Sequence, residues 1–209
     1  NIAERNNFLD VKVRALIQKT WIATNAEYKT ENAIQFITEA LTIAEAHDMT
    51  IEVINCHRLC AYVYRRMKEG DKSFAHNQQA EKLARQMGLP RELHMALYSI
   101  SFSLRGVKEE WCKSLCVLRE AINVADQYNF PPNIVIFLSW FDTALGLGLW
   151  EEAESALERY RERIDSSDPR RWGIYYLRLG HKAFSLGKFQ EAVDAYKTAL
   201  ATFKKHNPT

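Results

Sequence analysis

The side chains best suited to chemistry in this chain are four cysteines in two pairs of one spacing, Cys56 with Cys60 and Cys112 with Cys116. Residues four apart on a helix face the same way. Each pair could therefore chelate a soft cation, and His57 would add an imidazole to the first. Zinc, however, takes its cysteines from knuckle turns at C-x2-C spacing rather than from helix centres. Cys56 and Cys60 also fall on one apolar stripe with Val53, Val63 and Met67, where a thiol acts as a small hydrophobe. No secretory signal opens the sequence, because Asn1 to Asp10 is polar and mixed in charge. The reading is free thiols in a reducing, cytoplasmic setting, with no metal and no cofactor.

Other catalytic patterns are missing. There is no G-x-S-x-G elbow, no Gly-rich phosphate loop and no H-E-x-x-H. The six histidines lie within or at the ends of expected helices and share no recurring carboxylate companion, so no acid–base pair with divergent pKa values is visible. Arg159, Arg161, Arg163, Arg170 and Arg171 alternate with Glu158, Glu162, Asp165 and Asp168, the pattern of a solvated, salt-bridged face rather than a phosphate cradle. A net charge of +2 makes no electrostatic case for nucleic acid or an acidic membrane. No apolar run reaches the roughly 18 residues that a membrane span needs. The expectation is a protein that is not an enzyme and has no catalytic residues.

The elements that must position these residues are paired helices. Tyr176, Leu179, Gly180 and Ala183 fall at i, i+3, i+4 and i+7 of one helix. After a turn at Gly187, Ala192, Val193, Tyr196, Ala199, Leu200 and Phe203 line the inner face of a second. A small residue early in each second helix recurs about every 40 residues: Ala33, then Ser73 or Ala75, then Ser114, Ala153 and Ala192. That regularity predicts five helix pairs near 8–47, 51–87, 91–127, 133–164 and 169–206 in a single domain over 1–209, each pair unable to bury its apolar face alone. The third pair's second helix is expected from Lys108. Punctuation agrees: Thr30 and Asp168 as N-caps, Pro169 at a first helical position, and turns at Asp48-Met49-Thr50, Gly70-Asp71, Gly88-Leu89-Pro90, Gly106 and Gly148. The strongest break is Asn129-Phe130-Pro131-Pro132, read as a turn between pairs, with a hinge between sub-modules as the alternative.

In such a stack the first helix of each pair lines the concave face. The polar residues that helical spacing projects there are Gln18, Asn25, Arg58, Tyr62, Arg65, Ser99, Ser103, Asp142 and His181, candidates for hydrogen-bonding a peptide or small ligand. Trp111, Trp140, Trp150, Phe137, Phe141, Phe189 and Tyr196 sit at packing spacings and read as core first, binding surface second. At the C-terminal edge, which runs out through Lys204 to Thr209, Ile174, Leu177, Phe184, Leu186, Val193 and Leu200 exceed what one preceding pair can cover. The expectation is that a further segment meets them, or a second copy of the chain in a homodimer through the C-terminal repeat.

The stretch Gly173 to His206, GIYYLRLGHKAFSLGKFQEAVDAYKTALATFKKH, runs bulky, Leu-Gly, small, Gly, aromatic, Ala, aromatic, Ala. In that order it resembles a tetratricopeptide (TPR) repeat. The resemblance extends from about Phe8 to His206 and departs where Trp140-Phe141 and Thr20-Trp21 replace the Leu-Gly pair. It implies an all-α, TPR-like α–α superhelix that binds a protein, peptide or small effector, without direct nucleic-acid contact. The longer repeat, in phrases such as EALTIAEAHDM and EGDKSFAHNQQAEKLARQMGLP, is similar to the arrays of bacterial regulators, the MalT and LuxR-type activators and TPR sensors fused to diguanylate cyclases. That similarity implies the regulatory or sensor domain of a larger signalling or transcription-regulatory protein, of which a chain opening on Asn1 is a fragment. The alternative is a stand-alone interaction scaffold or co-chaperone-like adaptor.

Overall fold

A computed structural model describes residues 2–26, 29–106 and 110–206. Every regular element among them is a helix: α1 (Ile2–Asn25), α2 (Thr30–Ala46), α3 (Thr50–Arg66), α4 (Gly70–Gln86), α5 (Pro90–Gly106), α6 (Trp111–Gln127), α7 (Val135–Gly146), α8 (Trp150–Arg161), α9 (Pro169–Ser185) and α10 (Phe189–His206). These are the five expected pairs. Helix α6 begins at Trp111; Lys108, where it was expected to begin, lies outside the described residues, as do Asn207, Pro208 and Thr209.

The helices gather into two compact units, 1–132 and 133–209, divided at the Pro131-Pro132 break. In the first, α1 to α6 pack in sequence, and α3 also touches α1 and α5, so those three lie side by side. In the second, α7 pairs with α8, α8 with α9, and α9 with α10. No described helix is long and apolar enough to cross a membrane.

One turn recurs at six helix ends. Asp48, Lys68, Gly88, Asn129, Gly148 and Gly187 all have positive φ. The N–H of the residue after each reaches back to a carbonyl of the last helical turn: Met49 to Ala44, Glu69 to Tyr64, Leu89 to Ala84, Phe130 to Ala125, Leu149 to Ala144 and Lys188 to Ala183, at 2.9–3.1 Å. This is the Schellman ending, which satisfies carbonyls that the helix leaves without partners. Two glycines differ from expectation. Gly70 opens α4 instead of turning the chain, and Gly106 ends α5 without a left-handed φ. Thr30 is also not a cap. It is the first helical residue, while Lys29 holds the cap position with no side-chain bond, because the Lys29 carbonyl accepts the first helical bond, from Ala33 N–H at 3.1 Å. Asp168 does cap α9, accepting from the Arg171 N–H at 3.0 Å with Pro169 next in line.

The small-residue markers are all buried. Ala33, Ser73, Ser114, Ala153 and Ala192 sit inside while Ala75 is exposed, so Ser73 holds the second repeat's slot. Their size lets partner helices close up around a core such as that of Val13, Leu16, Ile37, Ala40, Val53, Cys56 and Leu59. At Gly180 and Gly173 the rings of Tyr196 and Phe203 occupy the space a Cβ would need. The inner face of α10 is narrower than its periodicity suggested: Ala192, Ala195 and Ala199 are buried, but Val193 and Leu200 are exposed, one position further round the helix. Phe184 and Leu186 are exposed too, and Ile174 and Leu177 half-buried. Trp150 and Phe189, expected in the core, are exposed at the first positions of α8 and α10.

Candidate functional site

Arg58, Tyr62 and Arg65 fall at i, i+4 and i+7 of α3, so they form one stripe. One repeat later Tyr98, Phe102 and Arg105 make the same stripe on α5. Because α1, α3 and α5 lie side by side, the stripes interlock. The Arg65 guanidinium sits over the rings of both Tyr62 and Phe102, 5.2 and 5.0 Å from their centres. Arg105 stacks on Phe102 at 5.1 Å, and Tyr98 meets Phe102 edge-on at the same separation. Toward α1, Tyr62 packs against Trp21 with ring centres 5.0 Å apart, and its hydroxyl donates to Asn25 Oδ1 at 2.5 Å. The result is a ladder, Trp21–Tyr62–Arg65–Phe102–Arg105, running across three helices. Trp21 is 44% exposed and the other four are half-buried.

The cations here are only partly compensated. Burial lowers the pKa of Arg65, with the Tyr62 and Tyr98 phenols opposing. No carboxylate pairs with it among the described residues; its contacts are aromatic faces. Burial likewise lowers the pKa of Arg58, opposed by the charge of Glu92. Arg58 Nη1 donates to Asn55 Oδ1 at 3.1 Å, while its buried Nε finds no acceptor among the described residues.

Of the nine expected ligand residues, the structure brings Asn25, Arg58, Tyr62 and Arg65 together on this face. Gln18 is exposed on α1, and Ser99 is half-buried, donating from its hydroxyl to Met95 O at 3.0 Å. Ser103 is a correction: it is buried, and its hydroxyl accepts from Asn77 Nδ2 at 3.0 Å, so it faces the core and not a ligand. Asp142 and His181 belong to the second unit. There Asp142 Oδ1 lies 2.8 Å from Arg178 Nε, and Arg178 Nη2 donates to its Oδ2 at 3.1 Å. His181 meets Tyr196 edge-on, and burial, then Arg178, lowers its pKa. Sequence reasoning missed Trp21, Phe102 and Arg105 as surface groups. Phe102 and Arg105 carried a signal, since they repeat the register of Tyr62 and Arg65.

The reactive groups assemble no catalytic centre among the described residues. Burial pushes the Cys56 thiol up to about 12, with neighbouring Cys60 adding to it, and burial does the same to Cys60, so neither is a thiolate near neutrality. Cys112 and Cys116 are exposed on α6. No three His, Cys, Asp or Glu side chains converge as metal ligands among the described residues. The closest reactive pair was invisible in the sequence. His57 and His76, on α3 and α4, place their Nδ1 atoms 2.9 Å apart with ring centres 5.2 Å apart. Ring centres that far apart put the two nitrogens nearly in line. That is the geometry of one imidazole donating to the other, whereas two nitrogens chelating a cation would tilt toward a common point. Tyr64 stacks on His76 at 5.4 Å. Burial, then the charge of His76, lowers the His57 pKa to about 4.

No protein-family model matches the chain, and no curated protein matches its sequence. Solved structures do match. BtubC (BKLC) from P. vanneervenii aligns over 96% of this chain and 93% of its own, with 12% identity and a TM-score of 0.67. The nearly identical TPR-like repeats from Podosopora anserina align over 95% and 98%, with 10% identity and a TM-score of 0.73. Aspartyl phosphate phosphatase F from Bacillus subtilis aligns over 92% of this chain but 60% of its own, with 14% identity and a TM-score of 0.69. At such identities the likeness is one of fold.

Proposed function

From the TPR-like helical-repeat fold that this chain has, we propose that it is a non-catalytic binding module whose α1, α3 and α5 face receives a protein or peptide. The observation that carries this reading is the aromatic–cation ladder. Trp21, Tyr62 and Phe102 offer broad apolar faces, and stacking holds the Arg65 side chain in place before anything arrives. Aromatic residues and arginine are the side chains that dominate binding energy at protein interfaces. Their concentration on adjoining first helices, away from the alanine-lined contacts that hold the pairs together, supports a docking surface over a further core. In the longer chain suggested by the extended repeat, the module serves as the regulatory domain that receives the partner.

The test is binding to an array of synthetic 12-residue peptides by wild type and by two variants. Phe102→Ala should lose most binding, because the ring anchors both arginines, while Gln35→Ala, on exposed α2 surface, should keep it. Thermal melts confirm that both variants fold. An array that binds no peptide, or binds wild type and Phe102→Ala alike, would refute the reading.

A further inference from the structure

We infer that copies of this chain join head to tail, the α10 edge of one against the α1 edge of the next, by the contact that joins successive pairs inside the chain. On α1, Phe8, Val11, Ala15, Gln18 and Ile22 are spaced 3, 4, 3 and 4 apart, so they form one stripe, and all five are exposed. This stripe is separate from the inward one of Val13, Leu16, Thr20 and Ala23, which is buried. The ladder sets the register between α1 and α3 by placing Trp21 beside Tyr62. In that register Phe8, Ala15, Gln18 and Ile22 hold the positions of Met49, Cys56, Leu59 and Val63. Those four turn toward the preceding pair. Met49, Cys56 and Leu59 share a core with Ile37, Ala40 and Ala44 of α2, and Val63 shares one with Ala23 and Ala33. The exposed stripe on α1 is therefore the face that a first helix uses to dock on the pair before it.

The last pair offers the other half. Counted from the small-residue markers Ala33 and Ala192, Val193 and Leu200 hold the positions of Ile34 and Leu41. Ile34 and Leu41 pack against the core that contains Cys56 and Leu59, whereas Val193 and Leu200 are 43% and 56% exposed. Phe189, one turn earlier on α10, is exposed as well. A solenoid edge that meets only water is normally polar, and contiguous exposed apolar groups mark contact surfaces. The two stripes complement each other, because they are the two sides of the α2–α3 junction. A second copy is thus an occupant whose matching face the chain itself carries. An edge pairing with its own kind would set α10 on α10 or α1 on α1. Within each unit, successive pairs instead meet as second helix on first: α2 on α3, α4 on α5 and α8 on α9. A head-to-tail contact joins different patches, so each added copy leaves one edge free for another.

Sedimentation velocity on the whole chain across a concentration series tests this, with single variants at the two edges, Ile22→Glu and Leu200→Glu. Wild type should grow past the dimer as concentration rises. Each variant alone should stay monomeric, because it has lost one half of the contact. Mixed in equal amounts, the two should form a one-to-one dimer and nothing larger, since each still carries the half that the other lacks. Melts show whether the variants fold, and Val11→Glu or Val193→Glu replaces one that does not. A wild type that stays monomeric at every concentration overturns the proposal and leaves both stripes to a different partner. Self-association that either variant leaves intact also overturns it, being the result for one edge pairing with itself. So does a mixture of the two variants that remains monomeric.

Discussion

Gly180→Ala and Gly106→Ala are the same chemical change on two helices, and the structure gives them opposite signs. A Cβ at Gly180 would land inside the van der Waals envelope of Tyr196 Cε1 and Cδ1, while one at Gly106 meets nothing within 4 Å. Both glycines have ordinary helical φ, so alanine is favoured at each by propensity, by about 1 kcal/mol inside a helix and less at an end. At Gly106, the last residue of α5, that is the whole effect, a gain of about 0.5 kcal/mol. At Gly180 the Tyr196 ring must shift, yet His181 packs on it edge-on at 5.8 Å. Overpacking costs about 1–3 kcal/mol. With two ring atoms inside the Cβ envelope the upper part of that range applies, about 2–3 kcal/mol, which outweighs propensity and leaves a net loss of about 1–2 kcal/mol. The two sites lie in different compact units, so urea denaturation should be followed by hydrogen exchange of α5 and α9 amides separately. Adding Tyr196→Ala should abolish the extra penalty of Gly180→Ala, because the three atoms nearest that Cβ all belong to the Tyr196 ring. Gly180→Ala matching wild type, or a penalty that persists without the Tyr196 ring, would show that the close approach is not what fixes this helix pair.

Burial, joined by His76 at His57 and opposed by the Ala121 carbonyl at His94, holds the imidazoles of His57, His76 and His94 below their usual range. Below about pH 6.5 the unfolded chain therefore takes up protons that the folded one refuses. Stability should be full above pH 6.5 and fall as the pH drops toward about 4; melts across that range should slope, and His57→Gln should flatten them. Thiol labelling should modify Cys112 and Cys116 in the native protein and reach buried Cys56 and Cys60 only after denaturant is added; equal rates for all four would contradict the packing of α3. Lys68 adopts a left-handed φ of 63°, strained for a residue with a Cβ, so Lys68→Gly should stabilise the α3 turn by about 0.5 kcal/mol in chemical denaturation, once glycine's own entropy is counted.

What the sequence disclosed, and what it withheld, follows from how information is spread along a repeat. The register of about 40 residues fixed which helices pair and which small residues sit between them, since every repeat must solve the same packing problem. The same register linked Tyr62 to Phe102 and Arg65 to Arg105, and so held most of the ladder. Exposure is a different kind of quantity, because it depends on what packs next to a helix. Val193 and Leu200 sit one position past buried Ala192 and Ala199, and helical periodicity places such neighbours about 100° apart without saying whether a following helix covers them. Ser103 failed for the mirror-image reason: it lies beside Phe102 but turns inward to Asn77. The His57–His76 contact was beyond reach because it joins two antiparallel helices at a crossing, and the crossing point depends on side-chain volumes along both. Residues related by the repeat are therefore the ones whose partners a sequence can name. The ladder's signal, of which only Tyr62 and Arg65 were read, lay in the sequence because it runs from one first helix to the next, along the direction of the repeat.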